Sequence, residues 1–228
     1  MQTNNTPDFD RPMLRMGSVA FLAGIVIFMV STIGFHAGTR DPMDNPAVFA
    51  VYAQSDPWIA AHIGQFAGIM LIYAGGFVAL HRLLLHSESG VASALAWFGL
   101  AAAIITASTY AILPSSTAGS EEEEKAIAFR VAEGIRGTEI GINSYFRMLQ
   151  GAVAIIFGVA IAKSALLSRW IGAVGISVGA VGIAAGVVTA YIGFSEPVSN
   201  IWAVTLYLWI IILGIFMWRK TKVKIIAR

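Results

Sequence analysis

Apolar residues fill six stretches of the chain, near 16–37, 58–82, 91–113, 140–163, 169–193 and 199–219. A bilayer core takes about 20 apolar residues per helix, and each stretch reaches that length. Their mixture of Gly, Ala and Leu lacks the period-two alternation of barrel strands. The pattern predicts an all-α membrane protein, a six-transmembrane-helix bundle in which residues 1–228 form a single transmembrane domain. Polar residues between the runs mark shorter elements. Asn45–Pro46 and Asp56–Pro57 each pair a capping side chain with a proline suited to the first helical position. They predict a short helix near 46–54 and a second span that starts at Pro57. Ser120 precedes Glu121 to Glu124, carboxylates suited to the positive end of a helix dipole. They predict a helix near 120–138, which either runs straight into the fourth span or bends near Gly134, Gly137 and Gly141.

Charge adds an orientation. Only 12% of the residues are charged, about half the fraction of a soluble domain. With the N-terminus in the cytoplasm, Arg11, Arg15, Arg82, Lys163, Arg169 and the basic tail from Arg219 to Arg228 fall inside. Arg40, Lys125, Arg130 and Arg136 fall outside, where most of the acids also lie. The excess of Lys and Arg on one side predicts cytoplasmic N- and C-termini. The short helices of the first and third loops are then extracytoplasmic. The expected location is a bacterial-type plasma membrane, crossed several times, with membrane lipids as partners. No basic patch interleaved with aromatic residues lies outside the membrane flanks, so nucleic acid is not an expected partner. The chain has no cysteine, which removes disulfides, thiolate metal sites and catalytic thiols.

Candidate chemistry lies in the polar residues set inside the spans. The second span carries His62 and Gln65. Ala61, Gly68, Gly75 and Ala79 form a stripe of small residues beside them, suited to close approach of another helix. Gln65 lies nearer that contact, and His62 lies at its edge. The fourth span carries Arg136, Glu139, Asn143, Arg147 and Gln150 at steps of three or four, which place them on one helical face. An arginine at the depth of Arg147 costs up to roughly 2.5–3.5 kcal/mol, so it calls for partners, a wet cavity or escape to the interface. Both spans enter from the outer side, and His36 closes the first span at the same level. The residues therefore predict an outward-facing polar pocket lined by His62, Gln65, Glu139, Asn143, Arg147 and Gln150, with His36 nearby. The plainer alternative for His62 and Gln65 is interhelical hydrogen bonding. Trp58, Trp170, Trp202 and Trp218 lie near span ends, as interface anchors do.

Three stretches, "DPWIAAHIGQFAGIML", "EKAIAFRVAEGIRGTEIGINSYFRMLQG" and "SRWIGAVGISVGAVGIAAGVVTAYIGFS", resemble an uncharacterised family of bacterial multi-spanning membrane proteins, a domain of unknown function. The resemblance covers roughly residues 36 to 195. It rests on an acid, a polar residue and an arginine spaced as Glu139, Asn143 and Arg147, and on a Trp and His placed as Trp58 and His62. It implies six spans and brings no activity or cofactor.

Three functional readings follow from the residues. In the first, the pocket of a ligand-binding or accessory subunit holds a lipid headgroup, a small anionic ligand or a partner membrane protein, with Arg147 as the charge. In the second, His36 and His62 ligate a b-type haem, or join Glu139 on a divalent metal, in a redox protein. In the third, Glu139 and His62 serve a transporter or proton relay. No serine–histidine–acid spacing, phosphate loop or zinc-protease motif is present.

Overall fold

The computed structural model describes residues 10–35, 43–53, 56–84, 122–164 and 167–222. The third expected span, His36 and the cap at Ser120 lie outside the described residues. All regular structure among the described residues is helical. Helix α1 is Asp10–Phe35, α2 is Asn45–Ala53 and α3 is Asp56–Met70. A π-helical segment, Leu71–Phe77, continues α3 into α4, Val78–Leu83. Helices α5 (Glu122–Lys163), α6 (Arg169–Ile192) and α7 (Glu196–Lys222) follow. Among the described residues, five helices are long and apolar enough to cross a membrane: α1, the α3–π–α4 unit, α5, α6 and α7. The chain is a multi-pass membrane protein of helical type.

The helix starts refine the capping pattern. Helix α2 begins one residue earlier than Asn45–Pro46 suggests. Asp44 caps it, with Oδ1 accepting the Ala47 N–H at 3.3 Å and its carbonyl accepting the Val48 N–H at 2.9 Å. Helix α5 runs unbroken for 42 residues, roughly 60 Å at the α-helical rise and about twice the bilayer core. The helix continues through Gly134, Gly137 and Gly141, and a Cβ at any of them would meet nothing within 4 Å. Its N-terminal part packs Phe129, Ala132 and Ile135 against Val48 and Phe49 of α2, so the two form one small layer.

Glycines set how closely the spans approach. The small-residue stripe of the second span meets α1: Gly68 faces Gly24, Gly75 faces Ala20, and Ala79 faces Gly17. Helices α5 and α6 form the most extensive pair. There Gly151 opposes Gly179 and Gly158 opposes Gly172, backbone against backbone. Two other α6 glycines, Gly175 and Gly182, make room for the rings of Trp209 and Trp202 on α7. Side-chain bonds fix the register. Ser18 Oγ donates to the Gly214 carbonyl at 2.6 Å, and Trp209 Nε1 donates to the Ile171 carbonyl at 3.0 Å.

These contacts gather the start of α1, the end of α4, the end of α5, the start of α6 and the end of α7 at one end of the bundle. Arg11, Arg15, Arg82, Lys163, Arg169, Arg219 and Lys220 all belong to that end. At the opposite end, the polar residues of the second and fourth spans converge.

Candidate functional site

A cavity of about 350 Å³ lies between α1, the second span, α5 and α7. The second span contributes His62, Gln65, Phe66, Ile69, Ile72, Tyr73 and Phe77. Helix α5 contributes Asn143, Phe146, Arg147 and Gln150, one face of its polar stripe. On the opposite face of α5, Tyr145 is 71% exposed. Helix α7 contributes Ser199, Asn200, Trp202, Ala203, Leu206, Tyr207 and Ile210; α1 contributes Phe28 and Thr32. The second and fourth spans thus face each other across the cavity, and both His62 and Arg147 are buried in its wall.

Arg147 joins three helices. Its Nε donates to Asn143 Oδ1 at 3.1 Å, one turn away on α5. Nη1 donates to Thr189 Oγ1 on α6 at 2.9 Å, and Nη2 donates to Ser199 Oγ on α7 at 3.0 Å. The Thr189 hydroxyl in turn donates to the Ala185 carbonyl at 2.8 Å, which fixes its lone pairs toward the guanidinium. The guanidinium carbon lies 5.7 Å from the centroid of the Phe194 ring. Interhelical hydrogen bonds in membranes contribute about 0.6–1.7 kcal/mol each, and a cation–π contact about 0.5–2 kcal/mol. Together these contributions are comparable with the cost of inserting the arginine.

Glu139 forms an ion pair one turn back on its own helix. Its carboxylate accepts from Arg136 Nη1 at 2.6 Å, with both side chains buried. The cavity lining on α5 is Asn143, Phe146, Arg147 and Gln150, without Glu139. The carbon of the Arg136 guanidinium lies 4.8 Å from the centroid of Phe194, the ring that also receives Arg147. The ion pair therefore forms a layer just outside the cavity. The turn after α6 places Phe194. Gly193 ends the helix at φ +78°, a conformation glycine adopts without a Cβ penalty, and the Phe194 N–H donates to Met43 Sδ at 3.2 Å.

Gln65 is also engaged. Gln65 Nε2 donates to Thr32 Oγ1 at 3.0 Å, and that hydroxyl donates to the Phe28 carbonyl at 2.8 Å. Gln65 therefore both lines the cavity and ties the second span to α1. Gln150 of α5 and Tyr73 of the second span both line the cavity. Below them, Phe77 closes the floor. Its ring stacks on Phe157 at 5.1 Å and meets Phe21 edge-on at 5.2 Å.

The structure adds residues that the sequence did not single out. Thr189, Ser199 and Phe194 hold Arg147, and none of them carries a charge that would mark it. Trp202 is not an interface anchor. It is buried, packs against Gly182 and forms part of the cavity wall. Trp170 and Trp218 are partly exposed at the basic end, as anchors are. The side chain of Trp58 lies outside the described residues. Among the described residues, no group of three or more His, Asp or Glu side chains is placed to hold a metal ion. His36, the other histidine of the haem and metal reading, lies outside them.

Comparison with curated proteins and with solved structures gives no match. A family model described as a domain of unknown function (DUF4386) matches residues 16–220, which takes in every span and every residue of the cavity. The chain belongs to this family.

Proposed function

We propose that the protein is a membrane-embedded binding protein and that the cavity at Arg147 is its binding site. The observation that carries this reading is a cavity within the bundle where four helices converge polar groups, among them a buried guanidinium held by Asn143, Thr189 and Ser199. A cavity of this size with a few placed polar groups and an apolar remainder suits a small ligand, since such sites run from about 300 to 1,000 Å³. His62, Gln65, Asn143, Arg147 and Gln150 contact the ligand, and Glu139 supports the site through Arg136.

The proposal includes an orientation. The end of the bundle that gathers the basic residues is cytoplasmic, as the excess of Lys and Arg there favours. Both termini then lie inside, residues 91–113 supply the sixth span, and the cavity opens outward near the exposed Asn200.

Ala203 offers a test, because it lines the cavity without hydrogen-bonding through its side chain. Protein extracted from native membranes and weighed intact should carry a non-covalent adduct. Ala203→Trp, which fills the cavity, should lose the adduct while keeping its thermal midpoint. An adduct retained by both proteins, or absent from the wild type, would count against the reading.

A further inference from the structure

Three of the four cavity walls, those of α1, the second span and α7, share one gradient. On the second span, His62 and Gln65 come first, and Ile69, Ile72 and Phe77 lie deeper. On α7, Ser199 and Asn200 come first, and Leu206 and Ile210 lie deeper. Helix α5 places Asn143 and Arg147 above Gln150, and α1, which runs the other way, places Thr32 above Phe28. On α1, the second span and α7, the side chains of Thr32, Gln65, Ser199 and Asn200 therefore lie at the end away from the basic cluster, and apolar groups line the middle of the bundle. Helix α5 stays polar down to Gln150, and Tyr73 and Tyr207 bring hydroxyls to the deeper level. A cavity for a compact polar solute would not need an apolar lower half, and one for a wholly apolar solute would leave these amides and the guanidinium facing hydrocarbon. The gradient is that of an amphiphile.

Charge narrows the headgroup. Among the described residues that line the cavity, Arg147 is the permanent cation and none is Asp or Glu. A guanidinium fixed by neighbouring oxygens in a water-poor site favours an oxyanion, which it can meet with its planar fork. Depth narrows the tail. Ile210 lies roughly 16 Å below Ser199 at the helical rise, about the reach of one medium-length alkyl chain. The aromatic floor at Phe77 stops a longer straight chain.

We infer that the cavity takes a single-chain anionic amphiphile, with its carboxylate or phosphate head at Arg147 and its tail pointing to the middle of the bundle. This rests on the reading of the cavity as a binding site. It gives the ligand the orientation of a lipid in the outer leaflet, so entry from that leaflet would need no inversion.

The test uses the full-length protein in nanodiscs of zwitterionic lipid and four probes of equal chain length: dodecanoate, dodecyl phosphate, dodecan-1-ol and dodecylammonium. Binding is read by intact mass and by displacement of a fluorescent fatty acid. At least one anion should bind tenfold or more tightly than the alcohol, and the ammonium should bind most weakly. The stronger anion identifies the head as carboxylate or phosphate. Arg147→Gln should remove most of the anion's advantage over the alcohol. If that variant does not fold, the order of the four probes on the wild type decides alone. Equal binding of anion and alcohol, both abolished by Ala203→Trp, would overturn the anionic head and leave the cavity as a binding site. Binding of every probe unaffected by Ala203→Trp would overturn both.

Discussion

Arg147 on α5 and Thr189 on α6 are joined by a 2.9 Å hydrogen bond between two buried side chains, and Ser199 extends the link to α7. One arginine thus fastens three spans at the depth where the cavity forms. Arg147→Leu would leave Asn143, Thr189 and Ser199 short of a donor. The expected loss is about 1–3 kcal/mol, read as a lower thermal midpoint in detergent. Arg147→Lys keeps the charge but not the divergent fork, and should fall between the two.

The Arg136–Glu139 pair is buried and lies outside the cavity. Breaking it should cost stability without changing the ligand site. Glu139→Gln is expected to lose more than about 1 kcal/mol, because a buried charge then loses its counter-ion. Its affinity for a cavity ligand should stay within about twofold of the wild type, well under 1.4 kcal/mol. A tenfold loss of affinity would place Glu139 in the site.

Two glycines should respond in opposite directions. At Gly182 a Cβ would lie 2.5 Å from Trp202 Cη2. Gly182→Leu must push that ring toward the cavity and should cost about 1–3 kcal/mol. At Gly134 a Cβ would meet nothing within 4 Å, and the residue is exposed within α5. Gly134→Ala should stabilise by about 0.5–1 kcal/mol through helix propensity. Thermal midpoints of the two variants check both.

The proposed topology makes its own forecast. Tags at either terminus should be protected from protease in intact cells, and a tag inserted before Glu122 should be cleaved. Cleavage of a C-terminal tag in sealed cells would reverse the direction in which the cavity opens.

How much of this was legible depends on the kind of interaction. The five described spans follow from apolar length, and the Ala61–Ala79 stripe does meet a neighbouring helix, because small residues at a repeating spacing are local information. The face shared by Asn143, Arg147 and Gln150 was legible for the same reason. The partner of Glu139 was not. Residues 136 and 139 lie on the same stripe as Arg147, and only packing brings the acid to 2.6 Å from Arg136. Thr189 and Ser199 were invisible because a hydroxyl in a span is common, and it gains a role only when another helix brings a guanidinium to it. Trp202 was misread since its position near a span end suits an anchor, whereas the gap left by Gly182 on another helix draws it inward. The π-helical segment Leu71–Phe77 had no sequence signal beyond Gly75–Gly76, yet it carries Ile72, Tyr73 and Phe77 into the cavity wall.

The central claim is that the cavity is a binding site open to the outer side of the membrane. The chain has no cysteine, so a single introduced thiol reports without background. Ala203 lines the cavity, and its neighbour Val204 is exposed on the outer face of α7. In intact cells, Ala203→Cys should react with a charged, membrane-impermeant thiol reagent, and dodecanoate should slow that reaction at least threefold. Val204→Cys, facing lipid, should not react. An Ala203→Cys thiol that stays unmodified until the cells are permeabilised, or whose reaction ignores dodecanoate, would contradict the account.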